Sequence, residues 1–290
     1  MNRTLFTEIL DRCFPQLGVD SIKQVFGGWD SYVFEINDDL IFKFPRNPEI
    51  ENTIRKEIRL LPELTKVLSV KVPVSSFVGE HEGKAFFGYR KIQGFPLVSC
   101  DYNSADLADQ VAHVISEIHG FPAHKAAALG VPKLQWRSEY ADFYRKMKRT
   151  VFPLMNVSLQ EKAVAVLEGF LDNDDHFQFE PVFTHHDLSA DGHILCDSKQ
   201  GEITGIIDWG DAVIGDPAID FTGLYWDCGE QFTKNALAKY DRMVDDTFWE
   251  RTVFYYKIGG FYEIEHGLVT QDETHVQKGL SHLSKTLQRV

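Results

Sequence analysis

The chain has 290 residues, 43% hydrophobic and 25% charged, enough apolar content for a sizeable core in one large or two modest domains and too little charge to suggest disorder. With 43 acidic against 30 basic residues, its net charge of −13 excludes the basic footprint of a nucleic-acid binder and suits a cationic ligand, a metal–nucleotide complex, or acidity that serves only solubility. No apolar run is long enough to span a bilayer, and the four cysteines (Cys13, Cys100, Cys196, Cys228) form no CxxC pair, so the expectation is a cytoplasmic protein in a reducing compartment, without a membrane partner.

Thr4 to Phe14 has amphipathic helical spacing, stopped by Pro15. Three short strand-like runs follow, Ile22 to Phe26, Tyr32 to Ile36 and Leu40 to Phe44. Gly27-Gly28-Trp29-Asp30 joins the first two and Asn37-Asp38-Asp39 the second pair, which makes a β-meander. Ile50 to Leu68 reads as a helix, and Val74 to Val78 and Lys84 to Ile92 as two more strands. Gly94-Phe95-Pro96 is a break, so a lobe over residues 1–93 and a second over 94–290 are expected. The second is mainly helical: Ala105 to His119, with an apolar face of Leu107, Val111, Val114, Ile115 and Ile118, then Glu139 to Met155 and Leu159 to Phe170. Strand–loop–strand character returns from Val182 to Trp209, and Ala218 to Gln288 is helical and aromatic. The fold class predicted is α+β, bilobal, with a β-rich first lobe, a helical second lobe and a cleft between them.

The chemistry concentrates between Phe183 and Phe221. Asp187 follows an apolar run in Thr184-His185-His186-Asp187-Leu188-Ser189, and Asp208 follows another, 21 residues later, in Ile206-Ile207-Asp208-Trp209-Gly210-Asp211. A lone Asp most often caps or turns the chain. Two at strand ends can instead divide the work of phosphoryl transfer, one accepting a proton from a hydroxyl and one holding a metal. His193 stands one residue beyond the place where the protein-kinase pattern puts a metal-binding Asn, and it reads either as a ligand through one ring nitrogen or as a structural histidine. Lys43, flanked by Phe42 and Phe44, suits a phosphate-holding lysine steadied by a helix acid, with Glu57 the best partner and Glu51 the fallback. Gly28 and Ser31 sit in a turn that could cradle phosphates or be an ordinary hairpin connection.

Together these residues resemble the aminoglycoside phosphotransferase family, whose fold is protein-kinase-like, over nearly the whole chain and most closely its 2″-phosphotransferases. The segments that carry the likeness are Tyr32 to Asn37 with Ile41 to Pro45, Phe87 to Leu97, and His185 to Phe221. The resemblance implies that Asp187 is the catalytic base, that His193 and Asp208 bind Mg²⁺, that Lys43 paired with Glu57 positions the phosphates of ATP or GTP, and that backbone groups near Arg90 and Ile92 bind the purine. It implies a small-molecule acceptor, a cationic aminoglycoside held by C-lobe carboxylates, for which Asp211, Asp227, Glu230, Glu263 and Glu265 are the candidates. Asp216 and Asp220 are expected to brace the catalytic loop by hydrogen bonds. A macrolide or a metabolite as acceptor, and a nucleotide-binding regulator with little catalysis, are the rival readings; monomer and dimer are both open.

Overall fold

The structure is a computed structural model that describes residues 3–25, 31–100, 105–197 and 199–288. In the first lobe, α1 (Arg3–Cys13) covers one face of an antiparallel sheet built from β1 (Ile22–Val25), β2 (Ser31–Ile36), β3 (Leu40–Pro45), β4 (Phe77–His81) and β5 (Lys84–Arg90) in the order β1-β2-β3-β5-β4. The two-residue period of β3 explains its two faces. Leu40, Phe42 and Phe44 join Phe6, Ile9, Leu10, Phe34 and Phe86 in a core beneath α1. Lys43 therefore points the other way, toward α2 (Pro48–Leu64), which lies across the opposite face. Helix α2 starts cleanly: Pro48 occupies the first turn, and the Asn47 side chain accepts the Ile50 N–H at 2.9 Å.

The strand expected at Val74 to Val78 lies further along, at Phe77–His81. The hairpin turn Glu82-Gly83, with both residues at positive φ, sets the register by pairing His81 with Lys84. Val74, just after Pro73, remains loop and is half exposed.

Past β5 the chain crosses into the second lobe. There β6 (Phe95–Pro96) pairs with β8 (Ile194–Asp197), and β8 with β9 (Glu202–Ile206), while β7 (Val182–Thr184) pairs with β10 (Val213–Gly215). The helices α3 (Ala105–Gly120), α4 (Ala123–Ala128), α5 (Trp136–Thr150) and α6 (Val157–Asp172) lie between β6 and β7, and α7 (Thr222–Leu237), α8 (Phe248–Thr270) and α9 (Glu273–Thr286) follow β10. The expected β-rich first lobe and helical second lobe are both present, and the short α4 is an addition. Among the described residues no helix is long and apolar enough to cross a membrane.

Cys100 and Cys196, 96 residues apart, are paired as a disulfide, while Cys13 and Cys228 are free. The scattered spacing that suggested a reducing compartment is silent about this pair. The β6–β8 pairing brings the two cysteines together, with Cα atoms 6.9 Å apart.

Candidate active site

Lys43 is the hub of the cleft. Its Nζ donates to both carboxylate oxygens of Glu57, at 3.0 and 2.9 Å, and to Asp208 Oδ1 at 2.9 Å. The helix acid is thus Glu57; the fallback, Glu51, pairs instead with Arg55. Burial opposes the charge on Lys43, but Asp208 and Glu57 outweigh it and hold the ammonium well above the usual lysine range. The same ammonium holds Asp208 below the ordinary carboxylate range. A strand, a helix and a loop from distant parts of the chain converge on one nitrogen.

Asp187 lies on the loop between β7 and β8. Burial is the main influence on its carboxyl; with Asp211, Asp208 and Asp220 nearby it pushes the pKa up to about 6, against the opposing pull of His193. His193 Nε2 is 3.7 Å from Asp187 Oδ2, and its Nδ1 is 3.2 Å from Ser189 Oγ. The His193 carbonyl accepts the Ile207 N–H at 3.0 Å, which ties the Asp187 loop to the residue before Asp208. Asp187, His193 and Asp208 therefore border one space.

Two non-glycine residues in this region take left-handed backbone conformations, His186 (φ 73°) and Asp208 (φ 65°), and each costs about 1–2 kcal/mol. Buried Asp220 holds the first. Its Oδ1 accepts the His186 N–H at 2.7 Å, and its Oδ2 accepts the His185 N–H at 2.8 Å and His119 Nε2 at 3.0 Å. Burial by itself would raise the Asp220 pKa, but His119 and the amide of His185 bring it below the usual value. Tyr240 OH, 2.6 Å from His119 Nδ1, completes the chain if Nε2 carries the imidazole proton. Asp216 braces a different part of the lobe. It is buried against Arg251 Nε and Nη2, at 2.6 and 3.0 Å, and Tyr255 OH at 2.6 Å, and so ties the segment before α7 to α8.

Of the other predicted residues, Gly28 lies outside the described residues. Ser31 is buried at the start of β2, where its carbonyl accepts Arg46 Nε at 3.2 Å. Arg90 ends β5 and pairs with Asp39 at 3.0 Å, while Ile92 packs closely over Gly205. The acceptor candidates are less concentrated. Asp211 is exposed on the loop after Asp208. Asp227 Oδ2 accepts the Ala190 and Asp191 N–H groups at 2.7 and 3.0 Å, so this carboxylate shapes the loop that carries Asp187. Glu230 pairs with Lys234 at 2.6 Å, Glu263 with His275 at 2.8 Å, and Glu265 with Lys146. A cavity of about 490 Å³ between α6 and α8, lined by Phe170, Trp249 and Phe254 among others, includes none of these residues.

The donor set fits a hard divalent cation. Asp208 is half exposed with one oxygen on Lys43, and among the described residues no group of three or more His, Cys, Asp or Glu could enclose a metal unaided.

Sequence reasoning missed Lys56. It is buried, and its Nζ donates to the carbonyl oxygens of Gly210 and, at 2.9 Å, Ala212. The signal was present: Lys56, Leu60 and Leu64 recur at intervals of four on one helix face, and both leucines are fully buried. His185 was quoted only as part of a motif. It is a buried imidazole that donates through Nε2 to the Ile207 carbonyl at 3.0 Å, and burial pushes its pKa down to about 4.

Comparison with known proteins agrees with this fold. A family model described as the phosphotransferase enzyme family matches residues 21–252. The GDP and kanamycin complex of APH(2″)-IIIa superposes with a TM-score of 0.91 at 28% identity, over 98% of each chain. Viomycin phosphotransferase of Streptomyces vinaceus is 26% identical over 200 residues, 66% of this chain and 67% of that one. The uncharacterized protein YcbJ of Bacillus subtilis (strain 168) is 26% identical over 189 residues, and the match spans 63% of this chain but only 59% of that relative's length.

Proposed function

This chain belongs to the phosphotransferase enzyme family, and from that premise we propose that it transfers the γ-phosphoryl group of ATP or GTP, with Mg²⁺, to a hydroxyl of a cationic aminoglycoside. The observation that carries the reading is the convergence of Glu57 and Asp208 on Lys43 Nζ, with Asp187 on the neighbouring loop. Lys43 holds the nucleotide phosphates, and the paired Glu57 keeps its ammonium from collapsing onto Asp208 alone. The purine lies against the backbone near Arg90 and Ile92, and Ser31 flanks the phosphates. Asp208 and His193 hold the metal, which supplies positive charge against the phosphate oxygens. Asp187, with its pKa pushed up to about 6, is ionised at neutral pH and basic enough to orient the acceptor hydroxyl and take its proton. Transfer then rests mainly on alignment and charge neutralisation.

The net charge of −13 and the exposed carboxylates of Asp211 and Glu230 favour a polycationic acceptor. Asp227, Glu230, Glu263 and Glu265 reach it only by sharing or releasing their present partners. A broad apolar macrolide site gains little from the aromatic run of α8. Phe254, Tyr255 and Phe261 are buried in the core, Phe254 stacked on Phe170 at 3.6 Å. A purely regulatory role fits poorly with Lys43, Asp187 and Asp208 all meeting in one cleft.

The decisive experiment is Asp187→Ala. The variant should melt like the parent and bind nucleotide, yet lose turnover by roughly 10²–10⁴-fold; near-normal turnover sinks the assignment. A coupled assay with ATP and GTP over a panel of aminoglycosides and macrolides tests the acceptor, and stimulation by macrolides alone replaces the aminoglycoside reading.

A further inference from the structure

Helix α2 does more than supply Glu57. Thr53, Lys56 and Glu57 lie on neighbouring faces of the same turn, and all three meet the loop that begins at Asp208. A Cβ added at Gly210 would stand 3.2 Å from Thr53 Cγ2 and 4.0 Å from Glu57 Oε2, so helix and loop are in contact there. Lys56 Nζ caps the same loop from above, donating to the carbonyls of Gly210 and Ala212.

Buried Trp209, packed on Phe183 and His185, and the Lys43–Asp208 ion pair fix the first half of the loop; Lys56 holds the second half. Asp208 is held at φ 65°, a conformation a non-glycine residue does not choose. The bonds local to the segment are long: Trp209 Nε1 to the Ile206 carbonyl at 3.3 Å and the Ala212 N–H to the Trp209 carbonyl at 3.3 Å. Burying an ammonium is expensive. Burial lowers the pKa of Lys56, against the pull of Glu57 and Asp211. A lysine kept there against that penalty, aimed at two carbonyls of one loop, has the geometry of a clamp.

We propose that Lys56 is a positioning residue for phosphoryl transfer: it fixes the Gly210–Ala212 segment to α2, so that the helix that delivers Glu57 to Lys43 also sets the carboxylate of Asp208. Lys43, Glu57 and Asp208 then form one rigid unit, and a displacement of α2 moves both halves of the phosphate and metal site together. This inference rests on the roles proposed above for Lys43 and Asp208.

The test compares Lys56→Met with Lys56→Arg in the full chain. Without any ligand, amide hydrogen exchange across residues 208–212 should quicken about tenfold or more in Lys56→Met, the scale expected on losing a charge-assisted hydrogen bond, while α3 and α7 keep their protection. By calorimetry, the dissociation constant for GDP without Mg²⁺ should stay as in the parent, and the tightening produced by Mg²⁺ should shrink about tenfold. Lys56→Arg, which keeps the donor and the charge, should recover most of both effects. Unchanged exchange at 208–212 overturns the proposal. So does an Arg variant as impaired as the Met variant, and so does a Met variant that fails to fold, because each makes Lys56 a structural buttress only. Asp187→Ala, run in parallel, keeps the two readings apart: it should leave the exchange pattern at 208–212 intact, and its failure to lose turnover would count against the proposed reaction and not against the clamp.

Discussion

Replacing Asp220 by Asn tests how the catalytic loop is held. The carboxylate is buried and accepts three donors, the His186 N–H on Oδ1 and the His185 N–H and His119 Nε2 on Oδ2. An asparagine of the same shape has one acceptor oxygen. Placed at the Oδ2 position, that oxygen retains His185 and His119 through weaker, neutral bonds and sets an NH₂ group against the His186 N–H. The donor that loses its acceptor belongs to the residue at φ 73° immediately before Asp187. A hydrogen bond to a charged group is worth about 1.5–3 kcal/mol, so losing one and weakening two should destabilise the protein by roughly 2–4 kcal/mol. A drop in Tm of about 3–7 °C is the thermal equivalent for a chain of this size. Release of His186 also lets Asp187 leave its position, and a displacement of that kind should lower kcat by about tenfold to a hundredfold. Nucleotide affinity should hardly change, because neither Lys43 nor the backbone near Arg90 and Ile92 touches Asp220. Differential scanning calorimetry and steady-state kinetics on the same preparation measure both effects. A variant that matches the parent in Tm and kcat refutes the idea that Asp220 maintains the loop.

Three further outcomes follow from the geometry. If Asp187 is the base proposed above it must be ionised to act, and its pKa is raised, so kcat/KM should fall as pH drops through about 6; an acid limb near pH 4 refutes the perturbed base. Asp211→Asn removes a negative neighbour that helps raise that pKa, and the limb should move to lower pH, visible in a pH–rate profile. By propensity alone, Gly223→Ala within α7 should stabilise the helix by roughly 0.5–1 kcal/mol. The new Cβ, however, would lie 2.0 Å from the Leu188 carbonyl oxygen and 2.9 Å from Ser189 Cα, so the catalytic loop must shift, and the expected result is a lower Tm with reduced turnover. A Tm above the parent's would show that the loop yields freely.

What was legible in the chain was local. Lys43 stood out because strand alternation cannot send Phe42, Lys43 and Phe44 to one face, and Asp187 and Asp208 because an apolar strand ending in an acid is a short-range pattern. Glu57 was found because a lysine on the inner face of a sheet needs a counter-charge from the next helix. Lys56 escaped for the complementary reason: its partners are main-chain carbonyls 154 and 156 residues away, and carbonyls carry no letter. The different fates of Asp216 and Asp220 were likewise hidden, since one faces Arg251 and the other His119 only after α3, α7 and α8 have packed.

The sequence by itself determined the bilobal α+β class, the positions of most helices and strands, and the identity of the lysine and carboxylates at the centre, because periodicity and strand-end acids are properties of neighbouring residues. Tertiary structure alone decided which acids remain open to a ligand. Asp227, Glu263 and Glu265 look like equivalent solvated carboxylates in the sequence, and packing gives them to two backbone amides, to His275 and to Lys146. The same holds for the disulfide between Cys100 and Cys196 and for the Asp220–His119 brace. Each depends on elements about a hundred residues apart arriving side by side, and that placement is set by the burial of the whole core.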